Sequence, residues 1–201
     1  MDMRAVDRLL SDTPDTPRAD ARRNLERLIA AARTALADTG VTVTAGEIAR
    51  RAGVGKGTFY RRVPSLDTLL HAVLHEILTE ITTAAERADT DPDPWRGFTE
   101  FATAYVGLRA ESCGVNDILT TPAPDLDATV ADIRDALHRL VARAQHAGVL
   151  RADLTWHDIA FVLAAVPTPP STLGLTAAPD QWTRTLRIVL DGLRPAPDPA
   201  Q

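Results

Sequence analysis

The chain contains one cysteine, Cys113, in 201 residues. A single sulfur cannot close an intramolecular disulfide, so no oxidised framework holds this fold, and a reducing cytoplasm is the expected setting. Cys113 itself is expected to pack as a small hydrophobe. Long apolar runs are also missing. No stretch reaches the length needed to cross a bilayer, and no membrane partner is expected. The opening MDMRAVDRLLSDTPDTPRAD carries acids where a signal peptide would have a continuous apolar segment. Aromatic residues make up only 4% of the chain, so a flat polyaromatic ligand is not an obvious match. No alternation of strands and helices is visible, and no Ser-His-Asp or Cys-His set follows from the spacing. The expectation is a protein that is not an enzyme and needs no cofactor.

Acid predominates overall, at a formal net charge of −5, but the charge is unevenly placed. Residues 18–75 hold ten basic and five acidic side chains, a net of +5, while residues 76–201 carry −8 and the first seventeen −2. A basic module attached to an acidic body is the asymmetry expected when one end of a molecule meets nucleic acid.

The patterning is helical almost throughout. Residues 1–17, with Pro14 and Pro17, read as a disordered arm. From Asp20 to Thr39, Leu25, Leu28, Ile29, Ala32 and Leu36 recur on one helical face, and Gly40 is the expected stop. The run TAGE at Thr44 to Glu47 is a capping box, with Thr44 accepting from the Glu47 amide and the Glu47 carboxylate reaching back. Ile48, Ala49 and Ala52 give the short helix that follows an inner face, and Gly53 permits a turn. A second short helix runs from Gly55 to Arg62 and ends before Pro64. Ser65 caps a long helix whose inner face is Leu69, Leu70, Val73, Leu74, Ile77, Leu78 and Ile81. Asp93 and Pro94 open the next helix, and further helical patterns cover about 94–110, 111–120, 125–148, 155–166 and 179–193. PTPPSTLG, residues 167–174, reads as a loop and the tail 196–201 as disordered. Only VTVT at 41–44 suggests a strand, too short for a sheet. The fold class is therefore all-α: a helix-turn-helix module over 18–64 and a helical body over 65–195.

The stretch AGVGKGTFYRR, residues 52–62, resembles the end of a phosphate-binding loop. That loop needs a glycine five residues before the second glycine, where this chain has Arg50, and Ser or Thr after the lysine, where it has Gly57. It also needs a preceding strand, and a capped helix stands there instead. A helix-turn-helix uses every residue of the stretch. Phe59 points inward. Lys56, Thr58, Tyr60, Arg61 and Arg62 point outward and are types suited to base edges and phosphates, and Gly57 lets the backbone approach DNA closely. Arg22, Thr44 and Gly46, near helix N-termini, are second-rank phosphate contacts.

Residues 22–75 resemble the N-terminal domain of TetR/AcrR-type transcriptional regulators. The likeness is carried by the long first helix and by T-x-x-E-I-A, A-G-V, G-T-F-Y-R and P-S-x-x-x-L-L. Weaker echoes lie in AGVLRADLTWHDIA and WTRTLRIVLDGLRP. Two positions depart from the pattern: Leu66 replaces a usual lysine, and Val63 replaces a usual aromatic.

The resemblance implies a repressor released from a double-stranded DNA operator by a small-molecule effector. It also implies a homodimer built on the last two helices. The sequence offers two stripes for that interface, Trp182, Leu186, Val189, Leu190 and Leu193 on one helix and Ile159, Leu163 and Val166 on the other. The implied effector pocket draws on Phe98, Phe101, Tyr105, Leu108, Cys113, Asn116, Leu119, Leu137, Val141 and Phe161, with Tyr105 and Asn116 as its polar contacts. The effector is not named by the sequence. An all-α enzyme or a metal-binding bundle is the alternative of another class: His71 and His75 are spaced i, i+4, but no carboxylate completes a metal motif and no metal is assigned.

Overall fold

In the computed structural model, the described residues are 5, 6, 9, 18–112, 114, 115, 126–167 and 171–196. Eight helices follow in chain order among them: α1 (Arg18–Thr39), α2 (Ala45–Arg51), α3 (Lys56–Arg62), α4 (Leu66–Thr90), α5 (Pro94–Glu111), α6 (Asp127–His146), α7 (Trp156–Ala164) and α8 (Gln181–Leu193). The helices form two compact units. One holds Met1–Thr79 with Ser112–Ala128, and the other Glu80–Glu111 with Thr129–Gln201. The division falls within α4, which contributes residues to both units.

In the first unit α1, α2 and α3 pack on one another around Leu25, Leu28, Leu36, Ile48, Phe59 and Leu69, all with 1% exposure or less. The caps stop each helix where the sequence asks. Gly40 ends α1 at a φ of +69°, a backbone state that side chains disfavour. Gly53 makes the α2–α3 turn at +66°. Ser65 Oγ accepts from the Thr68 amide at 3.1 Å and so starts α4.

Two expectations are corrected here. VTVT forms no strand: Gly40–Thr42 is a single 3₁₀ turn, which the glycine reversal imposes. Only half of the TAGE box forms. Thr44 Oγ1 accepts from the Glu47 amide at 3.2 Å, but the Glu47 carboxylate is taken by two arginines. Of the arm expected over 1–17, all but residues 5, 6 and 9 lie outside the described set. Ala5, Val6 and Leu9 are helical and buried, a spacing that places them on one helical face. The tail expectation falls on residues of which all but 196 lie outside the described set.

In the second unit α5, α7 and α8 pack together. Asp93 Oδ1 caps α5, accepting from the Trp95 and Arg96 amides at 2.9 and 3.1 Å. A complete capping box opens α7, where Thr155 and Asp158 exchange side-chain to backbone bonds. Arg143 closes the end of α4. It donates to the carbonyls of Ala88 at 3.0 Å and Asp89 at 2.8 Å, and also to that of Asp91. The close approach of α5 to the α4 end requires Gly97, since a Cβ there would meet the Ala88 carbonyl oxygen at 2.5 Å. The expected 167–174 loop contains a turn of sheet: Ser171–Thr172 (β1) pairs antiparallel with Leu175–Thr176 (β2).

Candidate nucleic-acid interface

The shape of α3 follows from its seven residues, KGTFYRR. Phe59, fully buried, anchors the inner side, and Val63 at 1% exposure plugs the base where α3 ends. That leaves Lys56, Gly57, Tyr60 and Arg61 exposed on the outer side, with Thr58 and Arg62 half-buried beside them. Arg61 Nη2 donates to Thr58 Oγ1 at 3.1 Å, which orders the guanidinium along the helix.

Gly57 stands out. Its φ is not positive, and a Cβ built on it would meet nothing within 4 Å. Neither backbone conformation nor packing inside this chain demands glycine, although glycine weakens a helix. The backbone is left bare at this point of the exposed side of α3.

A tight ionic cluster joins α2 to α1. Glu47 Oε1 accepts from Arg51 Nε at 2.7 Å and Arg50 Nη2 at 2.8 Å, and Arg51 Nη1 reaches Asp38 Oδ2 at 2.5 Å. The Arg50 hydrogen bond, then that of Arg51, lowers the Glu47 carboxyl to a pKa of about 2. Arg27 Nη2 donates to the Gly53 carbonyl at 3.3 Å and ties α1 to the turn. Of the second-rank contacts, Thr44 and Gly46 are exposed beside α2, and Arg22 is half-buried with Nε on Glu26 Oε1 at 3.2 Å. Much of the positive charge on α1 and α2 is thus matched by carboxylates. Among the described residues Lys56 and Arg61 have no carboxylate partner, so uncompensated charge sits on the outer side of α3.

The effector candidates divide. Phe98, Phe101, Leu137 and Val141 are buried within the second unit, and Tyr105 and Leu108 are half-buried. The Tyr105 hydroxyl accepts from Arg109 Nη1 at 2.9 Å, and the sequence reading missed this buried arginine. Phe161 is corrected: at 78% exposure it faces out of α7 and lines no interior space. Cys113, Asn116 and Leu119 lie outside the described residues. Neither of two described clefts includes an effector candidate. One, of about 650 Å3, lies on the first unit beside Arg27, Thr34 and Arg51, and the other, of about 270 Å3, on the second beside Trp95 and Trp182.

The residues of the expected dimer stripes differ in exposure within the single chain. Ile159, Leu163 and Val166 are buried in the single chain at 2% exposure or less, and Leu186 and Leu193 at 3%. They lie in the unit's own core. Trp182, Val189 and Leu190 are half-buried, and the large apolar side chains exposed on these helices are Phe161 and, at 69%, Ile188. His75 Nδ1 lies 3.2 Å from Thr79 Oγ1. Among the described residues no group of three or more His, Cys, Asp or Glu is placed to hold a metal, and no helix is long and apolar enough to cross a membrane.

Comparison with known proteins agrees with this geometry. Residues 28–73 match the family described as bacterial regulatory proteins, tetR family, and residues 93–195 match the one described as transcriptional regulator SbtR-like, C-terminal domain. Among solved structures the chain is similar to a TetR transcription regulatory protein from Mycobacterium vanbaalenii, at 32% identity over 89% of this chain and 99% of that one, with a TM-score of 0.58. It is similar to the TetR transcriptional regulator SCO0520 from Streptomyces coelicolor, at 26% identity over 86% and 99%, with a TM-score of 0.62. The TetR family regulator PfmR from Thermus thermophilus shares the fold, at 16% identity over 92% and 99% and a TM-score of 0.62. No curated protein sequence matches the chain.

Proposed function

This chain belongs to the TetR family of bacterial transcriptional regulators, and we propose that it is a cytoplasmic homodimeric repressor that reads its operator with α3 and leaves it when a small molecule binds the helical body. The observation that carries the DNA assignment is the outer side of α3. Lys56, Tyr60 and Arg61 are exposed there next to a glycine that nothing in the chain requires. Lys56, Thr58, Arg61 and Arg62 supply groove and phosphate contacts, Tyr60 a phosphate hydroxyl contact, and Thr44, Gly46 and Arg22 flank them. No catalytic role is proposed for any residue.

A dimer presents two copies of α3, which fit successive major grooves when about 34–36 Å apart. Phe161 and Ile188 supply the exposed apolar surface of α7 and α8 on which two chains associate. An effector acts by its preference for the DNA-incompetent state, with a coupling of about 1–3 kcal/mol. α4 is the element positioned to carry the signal, since it contributes residues to both units. Phe98, Phe101, Tyr105, Leu137 and Val141 are the described residues proposed to surround the effector, with Leu108 beside them.

The test is binding of the purified protein to the DNA upstream of its own gene at a series of salt concentrations. Affinity falls by orders of magnitude between about 50 and 200 mM salt if several phosphates are neutralised per dimer. A flat salt response contradicts the reading. A metabolite screen on the same complex tests the effector half.

A further inference from the structure

The hairpin β1–β2 holds apolar side chains out in solvent on an unfavourable backbone. Its two-residue turn is Leu173–Gly174, with φ of +50° and +77°. Both residues lie in the left-handed region, where Asn-Gly or Asp-Gly is favoured and a leucine Cβ is disfavoured. Leu173 is 96% exposed and Leu175 68% exposed. Two strands of two residues each are also too little to hold a hairpin without something packed on it. A strained residue persists where its surroundings enforce it, and none of the described residues covers Leu173.

Charge identifies what covers it. From Ile159 to Pro179, 21 consecutive residues carry no charged side chain, although charged residues make up 24% of the chain. Burial explains only part of this run. Phe161, Ala165, the whole of 171–176 and Pro179 are exposed, and none of them is charged. A surface that selects an unlike partner uses charges complementary to that partner. A surface that meets itself cannot. At an isologous interface each residue on the twofold axis faces its own copy, so any charge there opposes itself. An exposed run free of charge therefore fits a second copy of this chain. Within the run, Leu173 is the most exposed of the large apolar side chains and stands at the tip of the hairpin.

We propose that the hairpins of two copies meet at the twofold axis, with Leu173 of one copy packed against Leu173 of the other and Leu175 beside the contact. This rests on the homodimer reading above and adds to it the place of the axis.

A charge swap tests it. Leu173→Asp keeps a residue that the turn favours and puts two like charges on the axis, and Leu173→Lys does the same with the opposite sign. Each variant alone should have a dimer dissociation constant at least about tenfold above that of the wild type, with helical content unchanged. An equal mixture of the two should recover the dimer as a heterodimer, seen by sedimentation and by native mass spectrometry at low salt. A damaged turn would not give that recovery, because each chain keeps its own substitution. Where a charged variant fails to fold, L173C in a Cys113→Ser background decides. A disulfide-linked dimer on oxidation supports the contact, and none from a protein that sediments as a dimer overturns it. Wild-type association in both charged variants, or a mixture that associates no better than either alone, overturns the hairpin contact and leaves the homodimer standing. A wild-type protein that sediments as a monomer at all concentrations overturns both.

Discussion

Phe59 and Tyr60 are neighbours in sequence, with ring centroids 5.1 Å apart and planes at 74°, yet Phe59 has no exposure and Tyr60 is 50% exposed. One ring fixes α3 to the first unit while the other faces solvent edge-on to it. The pair predicts separable effects. Phe59→Ala should cost about 3–5 kcal/mol of stability in urea unfolding. Tyr60→Ala should change stability by less than about 1 kcal/mol, the usual range for a surface position. The DNA affinity of folded Tyr60→Ala should still fall.

Gly57→Ala offers a sharper contrast. The added methyl meets no atom of this chain within 4 Å, so the helix should gain up to about 1 kcal/mol. The same methyl should obstruct a close DNA backbone and weaken operator binding. Thermal unfolding and fluorescence anisotropy check the two signs together, and a variant that is more stable and binds DNA equally well would remove Gly57 from the interface.

Glu47 sets a pH dependence. Its carboxyl is lowered from 4.5 to about 2, chiefly by the Arg50 and then the Arg51 hydrogen bond. A depressed carboxylate stabilises the fold fully above its unfolded pKa and loses that contribution as pH falls through the folded one. The contribution of Glu47 should therefore be intact above about pH 4.5 and vanish towards pH 2. Urea midpoints across that window should fall less steeply for Glu47→Gln than for the wild type.

The surface of α7 and α8 separates association from folding. Phe161→Glu with Ile188→Glu should yield folded monomers in sedimentation, since both side chains face solvent in the single chain. Leu186→Glu should instead unfold the second unit, because Leu186 is 3% exposed and an unpaired charge cannot be buried there. A folded dimer of the Phe161/Ile188 variant would move the interface elsewhere.

What the sequence conveyed well was local. Thr44, Ser65 and Asp93 cap helices because each acts within three residues of itself, and the inward Phe59 follows from helical spacing. What it conveyed poorly depends on partners far along the chain. Arg143 acts on carbonyls more than fifty residues away, and no spacing announces that. A stripe such as Ile159–Leu163 marks a buried face without naming what buries it, so it reads equally as core or interface. Phe161, two positions on, faces the other way and carries the exposed surface. The Thr155–Asp158 box is local too, with aspartate three residues after the cap where glutamate is more usual. Leu173 at a left-handed turn runs against residue preference and could not be anticipated from it.

The central claim is that the outer side of α3 holds the operator. Its most direct test is the equilibrium affinity of Lys56→Ala/Tyr60→Ala for the upstream DNA, measured by anisotropy at about 100 mM salt, with circular dichroism and sedimentation on the same sample. Loss of one phosphate-facing charge and one phosphate-facing hydroxyl per subunit should weaken binding by at least about tenfold and flatten its salt slope. Helical content and assembly should match the wild type. Wild-type affinity in a variant that is folded and assembled as the parent would contradict the account.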